Sequence, residues 1–405
     1  MSTAFASTGV PAPSSPSGGG RHIAVFNAPQ PGHVTPTLAV VTELVARGHR
    51  VTYAITEDFA PQVKAAGADV VTYRLPSAAR EASEDLMAGA AQAMQQNVRA
   101  LPELMAAFAD DTPDLVLYDL AAAGGRLLAA YWQVPAVLLA PTHLPYEGIL
   151  SELYGVPDLS HMPGVGMLRM VLAAHGVTEP LEELLLAPRQ AVAFFPRAFQ
   201  RKADTVTAGS VTYAGPALGD RSYQGIWKPP QDGRPVLLVS LGTRYTHRPE
   251  FYQACIEAFA ETDMHVVMTV GHSIDPAGLG PVPKTMEIHP SVPQLDVLAH
   301  AAAFVTHGGM GSVMEAMAHG VPLVVVPQMT EQQANARQVE QLSLGLHLPR
   351  EQITPQVLRD SVQRVTTDPE IARGVAVLRQ AIQEAGGTVA AADAIERALT
   401  LETTP

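Results

Sequence analysis

The chain has 405 residues, 47% of them hydrophobic and 16% charged, which is enough for two domains with full cores. Its 26 basic and 39 acidic side chains leave a net charge of −13, which argues against nucleic acid and anionic lipid surfaces as partners. A single cysteine, Cys255, excludes an internal disulfide and fits a reducing, cytoplasmic setting.

Residues 1–21 end in SSPSGGGR, without the basic start and apolar stretch of a signal peptide, and are expected to form a disordered leader. No apolar run approaches the roughly 18 residues needed to span a bilayer. From His22 onward, apolar runs alternate with amphipathic segments. HIAVFNAP precedes a helix expected over 35–46; RVTYAIT precedes one near 59–66; DVVTYRLP precedes a long helical region over 81–109. PDLVLYD and VPAVLLAP then flank another helix. Continuous Val, Ile and Leu strands alternating with helices indicate a parallel α/β sheet. The acid pairs Glu84–Asp85 and Asp110–Asp111 read as solvated helix ends.

Residues 142–190 lose this rhythm, carry prolines at 145, 157, 163 and 180, and read as a mostly helical insertion suited to lining an acceptor pocket. RSYQGIWKPPQDGR, residues 221–234, reads as a linker. A second βα series follows: PVLLVSLGT, HVVMTVG, MEIHP, AAFVTHGG, VPLVVVP and GLHLP. From Pro355 the chain is helical, with a break near Gly386 and Gly387. The expected plan is an N-terminal domain over 22–220, the linker, a second domain over 235–385, and a last helix over 386–405 that returns to the first domain. Two doubly wound domains of this kind face their strand C-termini onto a shared cleft.

AAFVTHGGMGSVMEAMAHGVPLVVVP, residues 302–327, is the most informative stretch. It reads as strand, glycine-rich turn, helix and strand. The joint brings His307, Gly308, Gly309, Gly311 and Ser312 to a helix N-terminus, where backbone N–H groups bind anions. Glu315, in the first turns of that helix, is placed to accept from ribose hydroxyls. The alternatives are an ordinary tight βα turn and a nucleoside diphosphate site. A P-loop and a standard dinucleotide fingerprint are both missing.

PxPGHVTPTL, SLGT, VPQLDVL and THGGMGSVMEAMAHGVPLVVVPQMTEQQANA together resemble the GT-B nucleotide-sugar glycosyltransferases of family 1, nearest to the bacterial macrolide glycosyltransferases. The resemblance implies an α/β fold of GT-B type, two doubly wound Rossmann-like parallel-sheet domains facing an interdomain cleft. It implies that His307 and the Gly308–Ser312 turn hold the donor diphosphate with Thr243. It also implies that Glu315 holds the ribose, Ser291, Val292 and Gln294 surround the nucleobase, and Glu331 and Gln332 grip the donor sugar. Asn335, one helical turn beyond Glu331, has no settled role. The family usually places an aromatic residue, commonly Trp, where this chain has Ser291. UDP is the expected nucleotide, with dTDP kept open.

His33 follows Gly32 in the loop before the first helix, whose N-terminus disfavours imidazolium, so a neutral general base is expected. Asp119 ends the strand PDLVLYD at the same sheet edge, where the family pattern has an aspartate that orients the histidine. The implied reaction is a metal-independent, inverting transfer of a hexose, glucose first, from an NDP-sugar to a lipophilic acceptor such as a macrolide or a phenol. No D-x-D, H-E-x-x-H or Cys/His cluster occurs, so neither a metal nor another cofactor is expected. Met87, Met94, His143, Tyr146, Leu150 and Tyr154 are candidates for the acceptor pocket, with core packing the alternative for each. A homodimer is an open expectation. Two other readings stand beside the transferase: a nucleotide-sugar epimerase, and a catalytically silent protein that binds a nucleotide or a lipophile.

Overall fold

A computed structural model describes residues 20–75 and 86–400. The expected leader up to residue 19, the start of the helical region with Glu84 and Asp85, and the final residues 401–405 lie outside the described residues.

Among the described residues, thirteen strands form two parallel sheets. The first contains β1 (His22–Phe26), β2 (Arg50–Ile55), β3 (Asp69–Thr72), β4 (Leu115–Asp119), β5 (Ala136–Ala140), β6 (Gln190–Ala193) and β7 (Ser210–Tyr213), in the order β3-β2-β1-β4-β5-β6-β7. The second contains β8 (Val236–Ser240), β9 (His265–Thr269), β10 (Met286–His289), β11 (Ala301–Thr306), β12 (Leu323–Val325) and β13 (Gly345–His347), in the order β10-β9-β8-β11-β12-β13. These are two Rossmann-like domains. Every residue of β1, β4, β8 and β9 is buried, because helices cover both faces of each sheet, and this is why the strands read as unbroken apolar runs.

Strand order reverses beside β1 in one sheet and beside β8 in the other. Loops leaving neighbouring strands part at such a point and open a crevice for ligands. The segments after β1 and β4 therefore meet, as do those after β8 and β11.

Several elements depart from the expectations. The first helix begins at Pro31, earlier than position 35, so His33 lies inside its first turn and not in the preceding loop. Proline needs no N–H partner there, and its fixed φ suits helix initiation. β6 and β7 are additional to the expected strands; they follow the irregular 142–190 insertion, and their connection carries only short 3₁₀ turns, Arg197–Phe199 and Ala203–Thr205. The 142–190 insertion holds a π-helical turn, Leu150–Tyr154, and helices Val165–Ala174 and Leu181–Leu186. The C-terminal helical run breaks once more than expected, at Asp368, whose carboxylate accepts from Glu370 N–H and starts the helix Pro369–Glu384.

The last helix, Gly387–Thr400, packs on the first domain against helix Pro31–Ala46 and β5 to β7. Arg47 fastens it through Asp393 at 2.6 Å and Glu396 at 2.7 Å, while Glu43 holds the guanidinium from its own helix at 2.8 Å. Arg47→Ala is expected to cost about 1 kcal/mol, since the network is half in water. The same change should raise amide hydrogen exchange in 387–400 ahead of the rest of the chain, which exchange mass spectrometry would read.

Candidate active site

β1 and β4 end side by side, and the helix after β1 and the last residue of β4 supply the first pair of candidate groups. His33 Nδ1–H donates to Asp119 Oδ2 at 2.7 Å. Asp119 is 2% exposed, and its second oxygen accepts from Ala121 N–H at 2.7 Å, so the residue caps the turn after β4 as well as holding the ring. One nitrogen of His33 is thereby committed, which leaves Nε2 for the cavity that the residue lines. The downward shift expected from the helix end does not prevail at this ring. Burial pulls its pKa down, but the Asp119 charge and hydrogen bond, with help from Glu331, outweigh burial and Arg244 and raise it above the ordinary 6.5.

The residues expected on the donor side belong to the second domain. His307 follows β11, and burial holds its pKa down at about 4 against a hydrogen bond to the Ser240 backbone, so the ring is neutral. Two glycines leave room for its ring. A Cβ on Gly242 would sit 2.6 Å from His307 Cε1, and one on Gly309 would sit 2.5 Å from its Nε2. Gly308 has φ +83°, and a Cβ there would lie 2.5 Å from Val325 Cγ1, so this position requires glycine on both counts. The turn Gly308–Gly309 then feeds the helix Met310–His319, which contains Gly311, Ser312 and Glu315. The first N–H groups of that helix have no partner within it; Thr243 lines the cavity, whereas His307, the Gly308–Ser312 turn and Glu315 are not among its lining residues.

Glu315 is buried and already engaged. Gln294 Nε2 donates to one oxygen at 2.7 Å, and Arg221 meets the other at 2.7 Å. Gln294 also reaches Ser312 Oγ at 3.4 Å. Arg221, from the segment read only as a linker, is thus part of this corner of the site, and its charge opposite Glu315 has no local signature in the sequence. Ser291 is exposed beside half-buried Val292 in the turn before helix Gln294–Leu298.

Glu331 and Gln332 part company. Glu331 lines the cavity and accepts from Thr142 Oγ1–H at 2.8 Å, a bond between the two domains. Gln332 is buried, and its Oε1 accepts from Gln328 N–H at 2.7 Å, so it braces its own loop and is outside the cavity lining. Consecutive residues on a helix point about 100° apart, which a motif read as a pair does not reveal.

The cavity between the domains has a volume of about 600 Å³, within the range of small-molecule sites. His33, Asp119, Thr243, Arg244 and Glu331 stand at its polar end, and Met94, Leu150, Tyr154, Leu159 and Met162 line its apolar part. Met87 is not among the lining residues, which on its helix begin at Gly89. Tyr146 also falls outside, because residue 146 pairs with Val206 and its buried ring carries the Lys202 ammonium 5.3 Å from the centroid. His143 borders the cavity yet is buried, stacked on Phe199 and bonded to Asn335. Among the described residues, no group of three or more His, Cys, Asp or Glu side chains is arranged to hold a metal ion, and no helix is long and apolar enough to cross a membrane.

Known proteins share this architecture along nearly its whole length. The model of the erythromycin biosynthesis protein CIII-like C-terminal domain matches residues 253–388. The NDP-glycosyltransferase YjiC of Bacillus licheniformis is 38% identical over 392 residues, covering 93% of this chain and 98% of that protein. The oleandomycin glycosyltransferase of Streptomyces antibioticus is 37% identical over 390 residues, covering 93% and 91%. Among solved structures, the calicheamicin glycosyltransferase CalG4 superposes with a TM-score of 0.84 at 39% identity, over 94% of this chain and 98% of that one.

Proposed function

Since the chain belongs to the GT-B nucleotide-sugar glycosyltransferases of family 1, we propose that it moves a hexose, glucose first, from UDP-glucose or its dTDP counterpart to a hydroxyl of a lipophilic natural product. The observation that carries this reading is the His33–Asp119 pair at 2.7 Å, set in the wall of a mostly apolar cavity that also receives Glu331 and Thr243 from the donor domain. A macrolide fits the kinship with the oleandomycin enzyme, and a plant-type phenol fits the same chamber. An epimerase needs no second chamber, so the apolar space beside His33 favours the transferase.

In this mechanism His33 Nε2 takes the acceptor hydroxyl proton, and Asp119 stabilises the imidazolium that results. The freed oxygen attacks the anomeric carbon as its bond to the diphosphate breaks, and the single displacement inverts configuration. The nucleoside diphosphate leaves with the bonding pair. Its new charge meets the N-terminal N–H groups of helix Met310–His319, neutral His307 and the Thr243 hydroxyl.

The first test is mass spectrometry of reactions pairing UDP-glucose or dTDP-glucose with macrolides and phenols, in EDTA, with His33→Ala as control. A gain of one hexose with the wild type alone is the expected result, and no gain from either donor would overturn the reading. Transfer unaffected by EDTA is expected for a metal-independent reaction.

The pH profile follows from the pair. Below the unfolded value of 6.5, His33 is protonated in both states and its salt bridge contributes fully to stability; the contribution is lost as pH rises through the elevated folded value. Catalysis runs the other way, because only neutral His33 accepts a proton. kcat/KM is expected to climb with pH on a limb whose apparent pKa exceeds 6.5. In Asp119→Asn that limb should move below the wild-type one, because burial remains while the raising charge is gone. A limb that stays in place would separate Asp119 from the titration.

A further inference from the structure

Asn335 joins two parts of the molecule that the proposed chemistry uses together. It is fully buried in the helix Thr330–Gln341, four residues beyond Glu331. Its Nδ2–H donates to the carbonyl oxygen of Gly308 at 2.9 Å, inside the glycine-rich turn. Its Oδ1 accepts from His143 Nε2–H at 3.1 Å, across the domain boundary. His143 is in turn fixed from behind, since Arg201 N–H donates to its Nδ1 at 3.4 Å and its ring lies flat on Phe199, 8° from parallel.

We propose that His143 and Asn335 form a serial positioning relay, through which the acceptor domain sets the backbone of the diphosphate-binding turn. Each member spends its donors and acceptors in one direction. Arg201 N–H fixes the His143 tautomer, His143 fixes the amide orientation of Asn335, and Asn335 fixes the Gly308 carbonyl. A peptide group is planar, so orienting that carbonyl orients the N–H of Gly309 at the start of the helix. Seating the nucleotide thus depends on how the two domains meet, and the same interface carries the Thr142–Glu331 bond one helical turn away. Burial keeps the His143 pKa down at about 3, so the relay stays neutral at every pH of use.

The inference rests on the nucleotide-sugar reading above, and its test separates the two. Calorimetric titrations with UDP and with dTDP would compare wild type, His143→Phe, His143→Gln and Asn335→Asp, each also followed by thermal unfolding. Phenylalanine keeps the stacking and loses both nitrogens; glutamine offers one acceptor and one donor in their place; aspartate keeps the acceptor for His143 and loses the donor to Gly308. His143→Phe and Asn335→Asp are expected to weaken nucleotide binding about tenfold, the scale of one buried hydrogen bond. His143→Gln should bind like wild type, and the double variant H143F/N335D should be no weaker than Asn335→Asp, because the contacts act in series. A carboxylate buried at 335 carries its own desolvation cost, so the Phe and Gln variants decide. Steady-state kinetics should show donor KM raised in His143→Phe with acceptor KM unchanged.

Undiminished nucleotide binding in His143→Phe would overturn the relay. So would equal losses in Phe and Gln, or a change confined to acceptor KM, which would make His143 a packing or lining residue. Failure of the wild type to bind either nucleotide would overturn the donor reading itself, and the relay with it.

Discussion

His33→Ala is expected to lower kcat about 10²- to 10⁴-fold, the range that a positioned general base supplies, while leaving the KM for both substrates within a few-fold of wild type. The reason lies in the geometry. Nδ1 is held by Asp119 at 2.7 Å, so Nε2 is the one nitrogen able to take a proton, and the residue contributes to the transition state more than to binding. Removal of a side chain from the first turn of helix Pro31–Ala46 leaves the fold in place, because the buried residues of that helix are Val34, Thr37, Val40, Val41 and Leu44. Asp119→Asn is expected to cost less than His33→Ala. An amide there still accepts from Ala121 N–H and still contacts the ring, but supplies no charge to stabilise imidazolium. Rapid-quench measurement of single turnovers would isolate the chemical step from product release. Wild-type single-turnover rates in His33→Ala would remove the residue from the chemistry, whatever the steady-state values.

The sequence reveals most where one residue type answers to one local demand. β1, β4, β8, β9, β11 and β12 are legible because a strand covered on both faces must be apolar at nearly every position. Gly308 is legible because a turn with φ +83° against Val325 admits nothing larger. β6 and β7 escape because they are four-residue strands that follow the irregular 142–190 insertion, with only short 3₁₀ turns between them. The site is legible on the same terms. Asp119 ends β4 and His33 opens the helix that follows the adjacent β1, so topology alone brings them together. The different placements of Glu331 and Gln332 are not legible, because the TEQQ segment gives the residues but not their rotation about the helix axis. Arg221, Thr142 and Asn335 act through partners 94, 189 and 27 or more positions away in the chain, and no local pattern encodes such pairings. The direction of the His33 pKa is another case: a helix end is visible in sequence, whereas the closeness of Asp119 and Glu331 that outweighs burial and Arg244 is a property of the folded site.

Gly309→Ala is expected to lower transfer about 10²- to 10³-fold, the usual loss when one donor to a developing oxyanion is displaced, with little change in thermal stability. Gly309 has φ −60° and ψ 139°, a conformation that alanine adopts without strain. A Cβ added there meets one obstacle, the His307 ring, with Nε2 only 2.5 Å away. The imidazole must therefore move, and with burial holding its pKa at about 4 it has no charge with which to recover the lost contact from a distance. Gly242→Ala gives the contrast. It would press the same ring at 2.6 Å, but its φ of +79° adds backbone strain of roughly 1–2 kcal/mol, so function and stability should fall together. Comparing the two variants by thermal unfolding, nucleotide titration and transfer rate separates displacement of His307 from distortion of the turn. Full activity in Gly309→Ala would mean that the leaving diphosphate does not use His307 and that the N-terminal N–H groups of helix Met310–His319, with Thr243, carry its charge alone.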